Sequence, residues 1–419
     1  MRIQPLHKPT FIIDMGKLKA FLIGIYVFFL PLSDWSPVKV NSFLIIVAFA
    51  VWLYEMMTSS RKRSTWKGKT ALVLSAIFLV QLLCIVHGGL QQEWMFNIMV
   101  KLPFLLFPLI WNCFGNVLSF TQVKKYFIAG TLFACLLSLR FLWMNPDAVN
   151  DLSSYHPYES YLLLHRPYFG IYILLSICFL MDHLRTSYSA MILTIFLAAF
   201  LIWIQAKTAV ALLVVLLLIH FAFHAKKLIR RLSVIVAGIV AALILFGSIF
   251  YYMNHRSELP TSTGFKRFFI LSINTRIVHV ECAIKTIWQH PLAGVGAGHA
   301  MSYMNQCYDE YEPYKPNFTE SGKIYNAHNE WLEEGIRHGL IGMLIYAGCF
   351  WLFFKNALQQ KDKIYLQFLW IVVAASMTES IFSREQGVLM IAFMNCLLFF
   401  RSYFPSGTDN VSTISEASA

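Results

Sequence analysis

The chain has 419 residues, of which 58% are hydrophobic and 13% are charged, and its formal net charge at pH 7 is +12. Soluble domains carry about 25% charged residues, so this composition excludes an ordinary soluble protein and indicates a polytopic helical membrane protein. The positive charge does not indicate nucleic-acid binding, because basic clusters such as Arg61, Lys62 and Arg63 lie in short links between apolar segments.

Long apolar segments divide the chain into predicted transmembrane helices. Residues 1–17 are polar, and the first apolar run leads into Ser33 and Asp34 rather than a small-residue cleavage site, so we expect the first helix to remain as a signal anchor. The sequence therefore predicts an all-α, polytopic membrane protein with about 12 transmembrane helices. The predicted spans are 18–33, 40–57, 70–88, 101–119, 126–144, 167–184, 188–204, 208–224, 232–253, 336–354, 364–382 and 386–403.

The basic residues predict the orientation and the division of the chain. An N-terminus in the cytoplasm puts most Lys and Arg residues into cytoplasmic links, as the positive-inside rule requires, and both termini are then cytoplasmic. Residues 1–253 contain nine predicted spans with short loops, and residues 254–335 form one large outer loop. Residues 336–404 contain the last three spans, and residues 405–419 form a Ser-, Thr- and Gly-rich tail that is predicted to be a disordered cytoplasmic segment.

Two of the eight cysteines differ from the others in position. Six lie within predicted spans, where cysteine usually acts as a small buried hydrophobic residue. Cys282 and Cys307 both lie in the large outer loop, where an oxidising compartment would allow them to form a disulfide. Spacing alone does not set disulfide geometry, so two separate thiols remain the alternative.

The first notable segment of the outer loop is residues 274–288. Its apolar positions recur at helical spacing, which predicts a helix that Asn274 or Thr275 caps. Arg276 would then lie in the first turn, where a cation opposes the helix dipole unless an anion compensates. The Gly-rich turn at 294–298 lacks the Lys-Ser/Thr ending of a phosphate-binding loop, so we do not expect a nucleotide site.

The second notable segment is residues 327–342, which leads into the tenth predicted span. His328 lies at the start of this segment among Glu and Arg residues, where a histidine can act as a general base near neutral pH. A purely structural histidine is the alternative. The sequence around His328 is not a zinc motif, and His338 lies ten residues further on, so we expect no metal and no cofactor.

These residues carry a resemblance to a known family. His328 and Asn329 are followed by nine residues, then Gly339, two residues and Gly342, and this pattern resembles the signature of bacterial O-antigen ligases. The resemblance to the O-antigen ligase and polymerase superfamily extends over about residues 160–395. It implies a GT-C-like, inverting and metal-independent glycosyltransferase in the inner membrane. Such an enzyme transfers a glycan from undecaprenyl diphosphate, on the periplasmic face, to an acceptor sugar, which in ligases belongs to the lipid A core.

The resemblance also implies roles for individual residues. The arginine that this family carries in its loop corresponds to Arg276, and its histidine corresponds to His328. A further family arginine corresponds to Lys207, which keeps the positive charge but loses the bidentate fork. Arg166 and Arg384 are further candidates for binding the diphosphate.

Glu379 lies near the predicted outer end of span eleven, five residues before Arg384. An ion pair between these two side chains is one interpretation, because charges near the membrane edge are usually paired, and a purely structural role for the pair is the alternative.

Three alternatives to a ligase remain. An O-antigen polymerase would use the same donor, but the pattern of Arg, ten residues and Gly is absent after both Arg276 and Arg166, which favours a ligase. A protein O-glycosyltransferase of the same superfamily is the second alternative. The third is a transporter of lipid-linked glycans, which is disfavoured because the chain shows no internal repeat and because charged residues are absent from predicted span centres, Arg140 being the nearest.

Overall fold

The computed structural model is helical throughout the part of the chain that it describes. The described residues are 14–33, 39–58, 68–83, 92–115, 117–145, 162–184, 186–224, 264–310 and 326–401. In chain order the helices are α1 (Met15–Phe29, extended by the 3-10 turn Leu30–Leu32), α2 (Val40–Thr58), α3 (Gly68–Leu83), α4 (Gln92–Lys101), α5 (Pro103–Phe114), α6 (Phe120–Met144), α7 (Arg166–Met181), α8 (Tyr188–Trp203), α9 (Lys207–His224), α10 (Gly264–Gln289), α11 (Ala300–Asp309), α12 (Glu330–Gln359), α13 (Lys363–Ser376) and α14 (Glu385–Phe400).

The prediction of an all-helical, polytopic membrane protein agrees with this architecture. Within the described ranges, five helical segments are long and apolar enough to cross a membrane: Met15–Leu32, Val40–Thr58, Trp94–Trp111, Phe120–Met144 and Glu330–Gln359. Shorter apolar helices lie at six further positions. Every predicted span overlaps a described helix except the ninth, at 232–253, which lies outside the described residues. Residues 84–88 of the third predicted span and the predicted tail at 405–419 also lie outside them.

Two helices form the centre of the bundle. α7 and α14 are buried along almost their whole length, as expected for helices that are apolar on every side. Tyr172 in α7 donates a hydrogen bond to the backbone oxygen of Gln386 in α14, with 3.0 Å between the oxygens. Gly170 lets α9 approach closely, because a Cβ atom there would lie 2.8 Å from the Cβ atom of Ala209.

The fourth predicted span required correction. Instead of one helix at 101–119, the structure has α4 and α5, separated at Leu102 by a break that Pro103 follows. The candidate span is Trp94–Trp111, so Lys101 lies near its middle and is completely buried. The expectation that charged residues are absent from span centres is therefore wrong, because a boundary drawn at residue 101 placed this lysine at the membrane edge.

The helix that carries Arg276 also differs from the prediction. α10 begins at Gly264, so Arg276 lies near its middle and neither Asn274 nor Thr275 caps it. Arg276 is therefore not in the first turn of the helix, where its positive charge would oppose the helix dipole. The helical apolar pattern is clear only from residue 277 onward, whereas the chain is helical for three further turns upstream.

α10 and α11 pack together in a small core that is separate from the core of the bundle. A disulfide joins Cys282 of α10 to Cys307 of α11, with 5.7 Å between their Cα atoms. The buried residues of this core are Val278, Cys282, Ala283, Val295, Ala300, Met304, Cys307, Tyr308, Ala327 and Ile336. This packing holds α10 and the first turns of α12 in fixed positions relative to each other.

Candidate active site

His328 lies in a turn immediately before α12. Its backbone is in the left-handed region, at φ 47°, and its amide nitrogen donates a hydrogen bond to Oδ1 of Asn326 at 3.2 Å. The imidazole is partly exposed, and its Nδ1 lies 3.2 Å from Oε2 of Glu379. With the proton on Nδ1, this contact directs Nε2 away from the carboxylate and leaves it as the basic nitrogen.

Asn329 fixes the position of this turn. Its Oδ1 caps α12 by accepting hydrogen bonds from the amides of Trp331 and Leu332, at 2.9 and 3.1 Å. Its Nδ2 donates to the backbone oxygen of Met377, just beyond the end of α13, at 3.1 Å. Asn329 therefore connects the turn that carries His328 to the segment that carries Glu379.

Glu379 lies between the histidine and an arginine. Its Oε2 contacts His328, and its Oε1 lies 3.4 Å from Nη2 of Arg276. The predicted ion pair with Arg384 is wrong, because α13 ends at Ser376 and the turn that follows directs Glu379 toward the outer-loop residues. Arg384 is instead the exposed residue that precedes α14.

Arg276 belongs to a group of three cationic side chains, in which Lys207 lies within electrostatic range of the other two. Arg166 is the first residue of α7 and Lys207 is the first residue of α9, and the charges of Arg166 and Arg276 both act on the Lys207 ammonium group. A hydrogen bond of 3.0 Å between the hydroxyls of Thr208 and Thr378 connects the start of α9 to the Glu379 segment. Because helix N-termini carry partial positive charge, the two helix starts strengthen the positive potential of this region.

A second histidine packs against His328. His279 of α10 is buried, its ring centroid lies 5.2 Å from that of His328, and its Nδ1 lies 2.6 Å from the hydroxyl of Tyr308. Burial, with added repulsion from His328 and Arg276, lowers the pKa of His279 to about 3. Burial also raises the pKa of Tyr308, and the Glu333 carboxylate adds to that shift. His279 is therefore neutral at physiological pH. Sequence reasoning gave it no role, since nothing in its local sequence distinguishes it.

The two glycines of the motif allow close backbone contacts. Gly339 has φ 62° and ψ −158°, which kinks α12, and a Cβ atom there would lie 2.5 Å from the carbonyl carbon of Leu292. The amide of Leu340 donates a hydrogen bond to the backbone oxygen of Pro291 at 2.8 Å. This bond attaches the loop that follows α10 to the kink of α12. At Gly342, a Cβ atom would clash with the Cβ atom of His338.

A buried group of charges lies beneath this site, and sequence reasoning missed it. Lys101 of α4 forms an ion pair with Glu334, and its Nζ lies 3.9 Å from Oε1 of Glu330. All three side chains are fully or almost fully buried. A charge in a membrane span is costly unless it is paired, so these residues stabilise one another and hold α4 against α12.

The glutamates of α12 also hold the backbone on both sides of the site. Oε2 of Glu330 accepts a hydrogen bond from the amide of Phe382 at 2.8 Å, and Oε2 of Glu333 accepts from the amide of Ala327 at 2.9 Å. Ala327 immediately precedes His328, and Phe382 lies three residues after Glu379. These carboxylates therefore position both members of the His328–Glu379 pair.

In the part of the chain that the structure describes, no group of three or more His, Cys, Asp or Glu side chains is arranged to hold a metal ion. His338, which the sequence placed ten residues beyond His328, lies below the site, with its Nδ1 2.9 Å from Oε2 of Glu334.

Residues 170–347 match the family model described as O-antigen ligase. This match supports assignment of the chain to the O-antigen ligase-like superfamily. The matched segment includes Lys207, Arg276, His328 and the two motif glycines, which confirms the resemblance that the motif indicated. A comparison with curated proteins gives no match. The family match supports an O-antigen ligase- or polymerase-type function, with lipid-linked glycan substrates, for this multi-pass membrane protein.

Proposed function

We propose that this protein is a GT-C-like glycosyltransferase of the O-antigen ligase type. It transfers a glycan from undecaprenyl diphosphate to a sugar of the lipid A core, on the periplasmic face of the inner membrane. The observation that carries the proposal is the arrangement in which Glu379 contacts His328 and Arg276 together. This arrangement sets a general base beside a cation that is suited to a diphosphate. Twelve spans and two cytoplasmic termini belong to the same proposal.

His328 is the proposed general base. Nε2 of the imidazole removes the proton from the acceptor hydroxyl, and the hydroxyl oxygen attacks the anomeric carbon of the donor sugar. The bond between that carbon and the diphosphate oxygen breaks on the opposite face, its electron pair leaves with the diphosphate, and the configuration inverts. Glu379 accepts from Nδ1–H and stabilises the imidazolium that forms, as the acidic member of a catalytic triad does.

The cationic side chains are proposed to bind the leaving group. Negative charge grows on the diphosphate as the glycosidic bond breaks, so fixed positive charges stabilise the transition state more than the ground state. The Arg276 side chain is 48% exposed and uses one nitrogen for Glu379, while a guanidinium has five N–H donors in all. Its other donors suit the phosphate oxygens, and Lys207 and Arg166 add charge next to it.

A deletion strain tests the proposed reaction through its lipopolysaccharide pattern on a gel. We expect the loss of all long bands together with accumulation of lipid-linked glycan, both restored by the wild-type gene and not by His328→Ala. A band with a single repeat unit would identify a polymerase instead. Unchanged bands together with a transport defect would reject the glycosyltransferase and favour a carrier.

Purified protein with a defined lipid-linked donor and a lipid A-core acceptor tests the chemistry directly. Because cationic side chains supply the charge in the proposed mechanism, transfer should persist in excess chelator. Loss of transfer in chelator that Mg²⁺ or Mn²⁺ restores would reject this part of the proposal. His290→Ala is the matched control for His328→Ala, since His290 lies in the same loop and its ring packs edge-to-face against Tyr303 rather than contacting Glu379.

A further inference from the structure

One face of α10 exposes a stripe of large apolar side chains. Its positions follow each other at intervals of three or four residues, which places them on one side of a helix. The stripe consists of Ile277, Val280, Ile284 and Trp288, which are 50%, 38%, 43% and 79% exposed. The opposite face of α10 is buried in the core with α11. α10 is therefore apolar on two sides, although its hydropathy does not qualify it as a membrane span.

The stripe continues without interruption onto α12. Leu292 follows α10 and is 68% exposed. The amide of Ile341 lies 3.3 Å from the backbone oxygen of Leu292, and Leu340 bonds to the oxygen of Pro291, so the two surfaces meet. Leu340, Ile341 and Leu344 are exposed as well, and they belong to the candidate membrane span Glu330–Gln359. The surface of the span that faces lipid thus runs directly into the exposed face of α10.

We propose that α10 lies in the membrane–water interface on the outer side of the membrane that the protein spans. Its exposed stripe then contacts the lipid acyl chains. An amphipathic helix at an interface buries its apolar face in the acyl boundary, and tryptophan is enriched at that depth. The flanks of the stripe fit this position, because Arg276, Glu281 and Lys285 border it on its two sides. Lys285 is paired with Glu310 of the outer loop at 2.5 Å, on the side away from lipid.

This position has a consequence for the active site. Arg276 directly precedes Ile277, so an interfacial α10 holds the guanidinium at the depth of lipid headgroups. A diphosphate joined to a membrane-embedded polyprenyl chain lies at that same depth. This consequence rests on the proposed function, whereas the membrane contact of α10 does not.

Photo-crosslinking tests the contact in full-length protein reconstituted in phosphatidylethanolamine–phosphatidylglycerol nanodiscs. p-Benzoylphenylalanine replaces Ile284 or Trp288 in the test variants, and Lys285 or Glu310 in the controls, which are exposed polar sites of the same loop. We expect several-fold more phospholipid adduct, detected by intact mass spectrometry, at the two test positions. Equal adduct at the controls, or none at the test positions, would overturn the proposal. A covalent dimer would show that a second copy covers the face.

Spin labelling provides a second measurement that does not depend on crosslinking yield. A nitroxide on Ile284→Cys or Trp288→Cys should collide more with oxygen, which partitions into lipid, than with a water-soluble nickel complex. A nitroxide on Lys285→Cys should show the opposite preference, after subtraction of the signal from labelled wild-type protein. A nickel preference at positions 284 and 288 in correctly folded protein would place the stripe in water and reject the interfacial position.

Discussion

The carboxylate of Glu379 lies 3.2 Å from Nδ1 of His328. The same carboxylate lies 3.4 Å from the guanidinium of Arg276, so one anion orients both the proposed base and the proposed phosphate-binding cation. Three chain segments that are distant in sequence meet at this point: the middle of α10, the turn before α12 and the turn after α13. The site therefore depends on the packing of the outer loop against the bundle.

Glu379→Gln should lower kcat on the order of 10²-fold, because the amide keeps the size of the side chain but stabilises the imidazolium less. The KM for the acceptor should change little. Glu379→Asp keeps the charge and should recover part of the rate. Steady-state transfer assays on purified variants measure this, with the exposed Glu310→Gln as control. A Gln variant with wild-type kcat would make Glu379 a purely structural partner of Arg276.

His328→Ala should fold and insert normally but lose transfer by about 10²- to 10⁴-fold, the usual contribution of a general base. Folding is expected to survive because the side chain is partly exposed and because Asn329, rather than His328, caps α12. Transfer is measured per amount of monodisperse protein, next to His290→Ala. Wild-type rates in the purified Ala variant would show that His328 is only a packing residue.

The sequence was sufficient for features that depend on local pattern. Long apolar runs predict membrane helices because the bilayer demands that length and composition. The spacing from His328 to Gly342 identifies the motif. The structure explains why the motif has glycine at its last two positions. Gly339 supplies a positive φ and a close contact with Leu292, and Gly342 makes room for His338.

Partners that are distant in sequence could not be predicted in this way. Glu379 meets His328 across 51 residues, and Lys101 meets Glu334 across 233. Local spacing instead indicated Arg384, five residues away, as the ion-pair partner of Glu379. Spacing along the chain carries no information on the turn that follows α13. Lys101 looked like an ordinary residue at a helix end, and only the packing of α4 on α12 shows it as a buried ion-pair partner.

Arg276 separates the effect of charge from the effect of shape. Arg276→Ala should lose about 10²- to 10³-fold in kcat, which is typical for the removal of one group that stabilises developing negative charge. Arg276→Lys retains the charge but not the fork, so we expect only a small part of the activity to remain. Lys285→Ala, on the same helix, is the control. A near-normal rate for Arg276→Lys together with an inactive Arg276→Ala would support a role for the charge and reject bidentate binding.

Gly339→Ala should destabilise the protein. At φ 62° and ψ −158° the backbone is in a region essentially restricted to glycine, which costs an L-residue roughly 1–3 kcal/mol, and the new Cβ atom would clash with the backbone of Leu292 and Ala293. Gly348→Ala is a matched control in α12, because no atom lies within 4 Å of its Cβ position and alanine favours a helix. Thermal unfolding in detergent should show a lower Tm for the first variant and an unchanged or higher Tm for the second. Equal Tm values would contradict the requirement for glycine at the kink.

His279 should make the stability of the protein depend on pH. Its pKa is about 3 in the folded protein and ordinarily 6.5, so between these values the unfolded chain binds a proton that the folded chain does not. The contribution of neutral His279 is therefore complete above pH 6.5 and is lost as the pH falls toward 3. In the part of the chain that the structure describes, the charged and titratable groups that face it include His328, Arg276 and Tyr308.

His279→Gln removes this titration and keeps a hydrogen-bonding partner for Tyr308. Its free energy of unfolding should fall less steeply than that of the wild type as the pH is lowered through this window, although its stability at neutral pH is reduced. Tyr308→Phe removes the same hydrogen bond but leaves the imidazole in place, so it should keep the steep dependence. Denaturant or thermal unfolding across the pH series measures the slopes. If the free energies of unfolding of the wild type and His279→Gln fell in parallel with pH, another group would cause the acid sensitivity. Burial of neutral His279 would then not control it.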